Sequence, residues 1–220
     1  MEIRKTKDGS HTLISDKFGE LYHSHNGSIQ EANHIFIKNG LQNFNKEISV
    51  FEMGFGSGLN AILSYYYAKK KSLKINYTTI EAYPVSIEIS KKLNYNDFIK
   101  EDDYKKVFNE IHSSKWEKEN IISDFFKIYK IKNKIEILDI EKLEKVDIIF
   151  YDAFAPNSQA TLWEEEILTK MYNYLKPNGF LITYCAKGVF KRTLKKIGFQ
   201  LESLAGPIGK REITKALKLI

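Results

Sequence analysis

Apolar residues along this chain switch between two spacings, and the switches mark its elements. Ile48-Ser49-Val50-Phe51 is short, apolar and β-branched, which predicts a buried strand. Leu59, Ile62, Leu63 and Tyr66 then share one face of a helix. A second strand is predicted from Lys74 to Glu81, followed by a helix that Pro84 opens and Val85, Ile89 and Leu93 line. Lys134 to Ile140 reads as a third strand. Val146 to Tyr151 reads as a fourth, a nearly unbroken apolar run suited to the middle of a parallel sheet. Trp163, Ile167, Met171 and Leu175 mark the next helix. A turn at Pro177-Asn178-Gly179 leads into a fifth strand, Gly179 to Cys185, and Phe190, Leu194 and Ile197 mark a further helix. Glu202 to Leu204 and Glu212 to Leu217 are the closing strands.

Two stretches stand outside this alternation. Residues 1–47 form an N-terminal extension. In it Thr12-Leu13-Ile14 and Leu21-Tyr22-His23 flank Asp16-Lys17-Phe18-Gly19 as a small hairpin, and Ser28 opens a helix with Ile29, Ala32, Ile35 and Phe36 inside. Ser28 and Glu31 have the spacing of a capping box, so Glu31 is either a cap or a site residue. Residues 94–134 read as a helical insertion, with helices near Tyr104–His112 and Ser123–Tyr129. The lysines of this insertion suit either an RNA-facing edge or a solvated helix face. Strands alternating with helices predict one α/β domain over residues 1–220, Rossmann-like, with a mostly parallel seven-stranded sheet. Its two closing strands are joined by a short loop and form an antiparallel C-terminal edge hairpin.

The first strand runs into Glu52-Met53-Gly54-Phe55-Gly56-Ser57-Gly58-Leu59-Asn60 before the helix. Glycine permits unusual backbone angles there and lets a ligand touch bare main chain, beside the unpaired N–H groups of a helix start. The dinucleotide fingerprint would need glycine at position 59, which is Leu. An acid followed by G-x-G-x-G resembles the first motif of S-adenosylmethionine (SAM) methyltransferases more closely. Glu81 ends the second predicted strand, where an acid about 20 residues past such a loop bonds ribose hydroxyls. Asp139 ends the third and Asp152 follows the fourth. In open α/β sheets the ligand lies beyond these strand ends. So many carboxylates suit a sulfonium, an amino group and a ribose, and would repel a pyrophosphate. The expected cofactor is SAM, held by Glu52, Gly54, Phe55, Gly56, Gly58, Asn60, Glu81, Asp139 and Asp152.

Composition narrows the rest. The formal charge is +6, which favours an anionic partner such as nucleic acid, although a lysine-rich composition produces the same excess without one. Cys185 is the only cysteine, and His23 and His25 lack further ligand spacing, so no metal site is expected. No run of about 18 uncharged apolar residues and no signal-peptide core is present, so a cytoplasmic protein with no membrane partner is expected. A monomer is compatible with the pattern.

Asp152-Ala153-Phe154-Ala155-Pro156 occupies the place where amino-methyltransferases carry an acid- or amide-Pro-Pro-aromatic motif. A primary amine is protonated near neutral pH and must lose a proton before it attacks a methyl group. Asp152 can bind that ammonium and pass on the proton. Phe154 and Tyr151 are candidates to pack on the base or the cation.

These segments together resemble the MnmD-type tRNA methyltransferases, which include the N-terminal half of the bifunctional MnmC enzymes. The likeness runs through DGSHTL at Asp8–Leu13, YHSHNGSIQEANHIFI at Tyr22–Ile37, the glycine loop and IEAYP at Ile80–Pro84. It continues through VDIIFYDAFAP at Val146–Pro156, LWEEEIL at Leu162–Leu168, the segment Leu175–Phe199 and GPIGKREI at Gly206–Ile213. The resemblance implies a class I SAM-dependent methyltransferase that methylates the aminomethyl group of 5-aminomethyl-2-thiouridine at the tRNA wobble position. It implies that the glycine loop and Glu81 hold SAM, that Asp152 takes the amine and that Asp139 takes the adenine. Tyr22, Glu31, Lys187, Lys210 and Arg211 become candidates for contact with the substrate or tRNA. With no FAD-dependent oxidase half in the sequence, a stand-alone methyltransferase is expected. The competing readings are a SAM methyltransferase acting on a small-molecule or protein amine, and a non-catalytic SAM-fold module that binds RNA.

Overall fold

The structure is a computed structural model describing residues 1–220. It begins with β1 (Glu2–Lys5) paired antiparallel to β2 (His11–Ile14), then α1 (Ser28–Ala32), which continues as a π-helical turn through Lys38. The central alternation follows as β3 (Ile48–Met53), α2 (Leu59–Lys71), β4 (Ile75–Ile80), α3 (Ile87–Ser90), α4 (Asn96–Ile99) and α5 (Tyr104–Ser113). Next come β5 (Glu119–Ser123), β6 (Phe126–Ile131), β7 (Val146–Tyr151), α6 (Glu165–Tyr174), β8 (Leu175–Thr183), α7 (Gly188–Ile197), β9 (Gln200–Ala205) and β10 (Glu212–Leu217).

The main sheet has the order β5-β6-β4-β3-β7-β8-β10-β9. Its five central strands, β6 to β8, are parallel, while β10 runs antiparallel to both β8 and β9. This is the mostly parallel Rossmann-like sheet with the antiparallel C-terminal hairpin. It has eight strands rather than seven, because β5 adds an antiparallel edge to β6. Apolar clusters cover both faces. Ile62, Phe36 and Phe150 lie in one, with Leu59 and Ile111. Phe51, Ile149, Met171 and Leu194 lie in the other. No helix is long and apolar enough to cross a membrane.

The third parallel strand is not Lys134 to Ile140. It is β6, and the expected helix at Ser123–Tyr129 is strand instead. Phe126, Ile128 and Lys130 alternate onto the buried face. A lysine in that row hides the period-two pattern. Lys130 is fully buried because its ammonium donates to the carbonyls of Ile111 and His112 at 3.0 and 2.9 Å, closing the C-terminal end of α5. It also stands 4.8 Å from the Trp116 ring centroid and 5.3 Å from that of Phe55. Residues 94–134 are therefore not a helical insertion: their second half is part of the main sheet.

The N-terminal extension differs in detail. β2 pairs with the polar β1, and Leu21 makes only one bridge, to Ile14, so residues 15–27 are free to run as a loop. Ser28 does not cap α1. Its hydroxyl donates to the His11 carbonyl at 2.7 Å, and Gly27 holds the cap position. Pro84 precedes α3 without opening it. Ser86 is the cap, accepting from the Ile89 N–H at 3.4 Å. Leu175 and the Pro177-Asn178-Gly179 turn belong to β8, whose register against β7 shifts between Val146 and Ile148.

Burial pushes the Lys130 ammonium down from its ordinary 10.5 to about 8. Between those values the unfolded chain binds a proton that the native chain has released, so this group's contribution to stability rises with pH. Urea unfolding of wild type and Lys130→Met across that window should show their difference moving in favour of wild type. A constant difference would contradict this placement of the charge.

Candidate functional site

A cavity of about 500 Å³ lies at the carboxyl ends of β3, β4 and β7. Its floor is the turn from β3 into α2. Gly54, Gly56 and Gly58 have φ of 93°, 51° and 74°, in the left-handed region that side chains avoid. A Cβ at Gly56 would stand 3.1 Å from Cδ1 of Tyr22, and one at Gly54 3.2 Å from the Asp152 carbonyl oxygen. The turn is tied to β4 by the Gly54 N–H, which donates to the Ile80 carbonyl at 3.0 Å.

Glu81 fastens the same turn from the next strand. One carboxylate oxygen accepts the Gly56 N–H at 3.0 Å and the other the Tyr83 N–H at 2.8 Å. Burial raises its pKa, against those backbone donors. Asp152 follows β7 and lines the cavity wall. Its Oδ2 accepts from Nδ2 of Asn60, on the first turn of α2, at 2.9 Å. Burial pushes Asp152 up to about 7; Asn60 opposes that rise, Glu31 adds to it and Lys210 opposes it. A carboxyl poised there can exchange a proton near neutral pH.

The roof is aromatic. The Phe154 ring lies 4.9 Å from Phe18 and 5.0 Å from Tyr22. Its backbone is held by Trp163, whose Nε1–H donates to the Phe154 carbonyl at 2.8 Å, and the Tyr184 hydroxyl donates to the Ala153 carbonyl at 2.8 Å. Lys17 sits 3.5 Å from the Tyr83 ring centroid at the rim. The sequence pattern assigned Lys17 and Phe18 to a hairpin turn; an aromatic beside glycine in an otherwise polar turn was the only signal of their place here.

Gly54, Phe55, Gly56, Asn60, Glu81, Asp152, Phe154 and Tyr22 thus converge on one cavity, while Gly58 caps α2 behind it, against His112, and does not line it. Several expectations fail on geometry. Asp139 follows no strand: it precedes a short 3-10 turn, is half-exposed and pairs with Lys142 at 2.9 Å, outside the cavity. The corresponding wall is formed by residues 133–136, just past β6. Glu52 is fully buried within β3 and does not line the cavity, because the alternation of the strand turns it under α2. Tyr151 is likewise fully buried. Its ring packs on Trp163 at 5.1 Å and its hydroxyl bonds the Leu162 carbonyl, which removes it from the substrate side. The Phe55 ring faces His112 and Trp116 behind the loop.

The remaining candidates lie behind or outside the cavity wall. Lys210, on the β9–β10 connection, pairs with Glu31 of α1 at 2.6 Å and stands 4.2 Å from the Tyr184 ring centroid. That pair is largely buried and is committed within the protein. Lys187 is exposed and donates to the Asn157 side chain at 2.7 Å, and Arg211 is exposed.

The family described as S-adenosyl-L-methionine-dependent methyltransferase matches residues 94–219. The tRNA 5-methylaminomethyl-2-thiouridine biosynthesis bifunctional protein MnmC of Leptospira interrogans serogroup Icterohaemorrhagiae serovar copenhageni is 29% identical over 225 residues, covering 92% of this chain and 33% of that protein. This chain therefore spans about a third of the length of that relative. An uncharacterized protein of Methanocaldococcus jannaschii is 25% identical over 97% of this chain and 58% of its own length. Among solved structures, MNMC2 from Aquifex aeolicus superposes with a TM-score of 0.79 at 21% identity, over 100% of this chain and 70% of that one. Magnesium protoporphyrin IX methyltransferase from Synechocystis PCC 6803 with bound SAM has a TM-score of 0.53 at 12% identity, over 88% of this chain and 81% of that one. At those identities the two structures establish the shared fold.

Gly58 carries the tightest steric demand in the turn, since a Cβ there would stand 2.6 Å from Nε2 of His112. Gly58→Ala should lower stability by about 1–2 kcal/mol from the left-handed backbone alone, with further loss from the contact with His112. Chemical denaturation measures the first effect and cofactor titration the weakening that follows from a displaced turn. Wild-type values for both would show that the turn tolerates a side chain.

Proposed function

The chain belongs to the family of S-adenosyl-L-methionine-dependent methyltransferases, and from that premise we propose that it methylates a tRNA wobble nucleoside. The acceptor is the aminomethyl nitrogen of 5-aminomethyl-2-thiouridine, and the product is 5-methylaminomethyl-2-thiouridine. The observation that carries this reading is Asp152: a carboxyl poised near neutrality, beside the glycine cradle and under an aromatic roof, in a chain similar to MnmC.

The residues present fit the cofactor. Three left-handed glycines leave a cradle that any Cβ would crowd, and the acids around it suit a cation and a diol while disfavouring a phosphate. When bound, SAM supplies an electrophilic methyl group on a positively charged sulfur. Glu81 would accept from the ribose hydroxyls while its two backbone bonds hold it in place. Residues 133–136 would flank the adenine.

Asp152 would receive the substrate ammonium. With Oδ2 held by Asn60, Oδ1 is left to take the proton and release the nitrogen lone pair for attack. Phe154, Phe18 and Tyr22 would hold a splayed wobble base by stacking, which is how single-stranded loop bases are commonly read. Orientation of the nitrogen towards the methyl group is the main catalytic contribution, about 7–11 kcal/mol for a well-placed pair. The basic excess, with Lys187 and Arg211 exposed, suits phosphate contacts that position the anticodon loop.

Incubation with SAM and tRNA carrying 5-aminomethyl-2-thiouridine, followed by nucleoside digestion, should show one added methyl on that nucleoside. Its absence under conditions where SAM binds would overturn the tRNA reading. The turnover rate should rise with pH through about 7, because the protonated Asp152 cannot take up the ammonium proton. Asp152→Ala should keep cofactor affinity and lose turnover by about 10²–10⁴-fold. Normal methylation by that variant would remove Asp152 from the mechanism.

A further inference from the structure

Beyond Tyr151 the chain leaves the sheet, and the two carbonyls that follow Asp152 are held by side chains instead. The Tyr184 hydroxyl donates to the Ala153 carbonyl, and the Trp163 indole N–H to that of Phe154, both at 2.8 Å. Trp163 is itself buried, with its ring against Tyr151 and Phe190. Tyr184 is less enclosed. It is the first residue past β8 and half-buried, and its ring meets that of Trp163 at 6.0 Å. On that ring stands the Lys210 ammonium, 4.2 Å from the centroid.

Lys210 is fixed in turn. Its Nζ lies 2.6 Å from Oε2 of Glu31, and Oε1 of Glu31 accepts the Ser24 N–H at 3.2 Å. The Glu31 and Lys210 side chains are 11% and 28% exposed, so the pair has lost most of its water. A desolvated ion pair is a poor source of stability, since apolar side chains of similar volume commonly serve as well or better. Nor is it needed to dock the β9–β10 connection on the N-terminal extension. His34 Nε2 already stands 2.7 Å from the Ala205 carbonyl, and Gly209 approaches Asn26 so closely that a Cβ would overlap its side chain. What the pair alone supplies is a cation held over the Tyr184 ring.

We propose that Tyr184 is a positioning residue for methyl transfer and that Lys210, fixed by Glu31, seats it. The Tyr184 hydroxyl pins the peptide between Ala153 and Phe154. The acid before that peptide and the aromatic ring after it thereby keep one placement relative to each other. The clamp runs from Ser24 through Glu31, Lys210 and Tyr184 to Ala153, and of these only Ala153 lines the cavity. Glu31 and Lys210 therefore act on the site from behind its wall, in place of contact with the substrate. The effect on turnover rests on the role proposed above for Asp152; the clamp itself does not.

Hydrogen exchange at the Trp163 indole, followed by NMR, reads this segment without any substrate, because that N–H is bonded to the Phe154 carbonyl. The chain has two tryptophans, so Trp116 serves as the internal control. Tyr184→Phe deletes only the hydroxyl. It should speed exchange at Trp163 about tenfold, leave Trp116 unchanged, keep SAM affinity within about twofold and lower turnover about tenfold. Combining Glu31→Gln with Lys210→Met removes both charges and keeps an acceptor for the Ser24 N–H. Glu31 raises and Lys210 lowers the affinity of Asp152 for a proton, so their joint loss is offset at that carboxyl. This double variant should unfold at the wild-type urea midpoint or above it, yet exchange faster at Trp163 and turn over about fivefold more slowly. Unchanged exchange at Trp163 in Tyr184→Phe would overturn the proposal. A double variant that loses stability and turnover together, or does not fold, would make the pair structural and remove Lys210 and Glu31 from the clamp. Faster exchange in the variants of a protein that methylates no tRNA would sink the tRNA reading and leave the clamp. Methylation of tRNA by Tyr184→Phe at the wild-type rate would do the reverse.

Discussion

The turn from β3 into α2 passes along the floor of the cavity with no side chain in the way, and the surrounding elements are packed to hold it there. Gly54, Gly56 and Gly58 take the left-handed backbone that makes the passage possible. A chain so free of side-chain restraint would be mobile alone, since glycine surrenders more entropy on ordering than any other residue. It is held from three sides. Glu81 binds the Gly56 N–H from β4, Tyr22 covers Gly56 from the N-terminal loop, and His112 closes on Gly58 from α5. His112 is held neutral, pushed down to about 3 by burial and by Lys130. Lys130 in turn closes α5 and stands over the Phe55 ring. The stretch between β4 and β7 therefore acts as the back wall of the glycine turn.

Low polarity at the strand ends is the second consequence of this packing. Glu52, Glu81 and Asp152 are all pushed up by burial, yet each meets a different neighbourhood. Backbone N–H groups hold Glu81, an amide and an ammonium bear on Asp152, and Glu52 has hydroxyls and the same amide beside it but no cation. Three carboxyls near one cavity thus sit in three different environments: Glu81 bonded by backbone N–H groups, Asp152 by the amide of Asn60, and Glu52 buried behind the cavity beneath α2. The Lys210–Glu31 pair brings the β9–β10 connection against α1 near Asp152, so the antiparallel hairpin at the far side of the sheet also bears on that carboxyl.

Local pattern determined a good deal of this protein. The glycine spacing, the apolar runs at Ile48–Phe51 and Val146–Tyr151 and the closing hairpin set the sheet and the position of its ligand, because strand and helix periods are properties of consecutive residues. Glu81 and Asp152 were legible for the same reason: each directly follows a strand that reads clearly. Tertiary structure alone decided what depended on distant partners. β6 was hidden because its buried row contains Lys130, which is tolerable there only with the carbonyls of α5 in reach. Asp139 looked like a strand-end acid until β6 took that place in the sheet. Glu31 read as a helix cap or a site residue and Lys210 as a candidate for tRNA contact; they lie 179 positions apart in the sequence, and their pairing exists only once α1 meets the β9–β10 connection. Glu52 is the sharpest case. As the acid of the glycine motif it reads as a cofactor ligand, but the two-residue period of β3 and the cover of α2 turn it away from the cavity, and its neighbours there leave it no cation. Sequence period says that a residue lies in a strand; which face is dry, and what waits there, is set by the elements that pack on it.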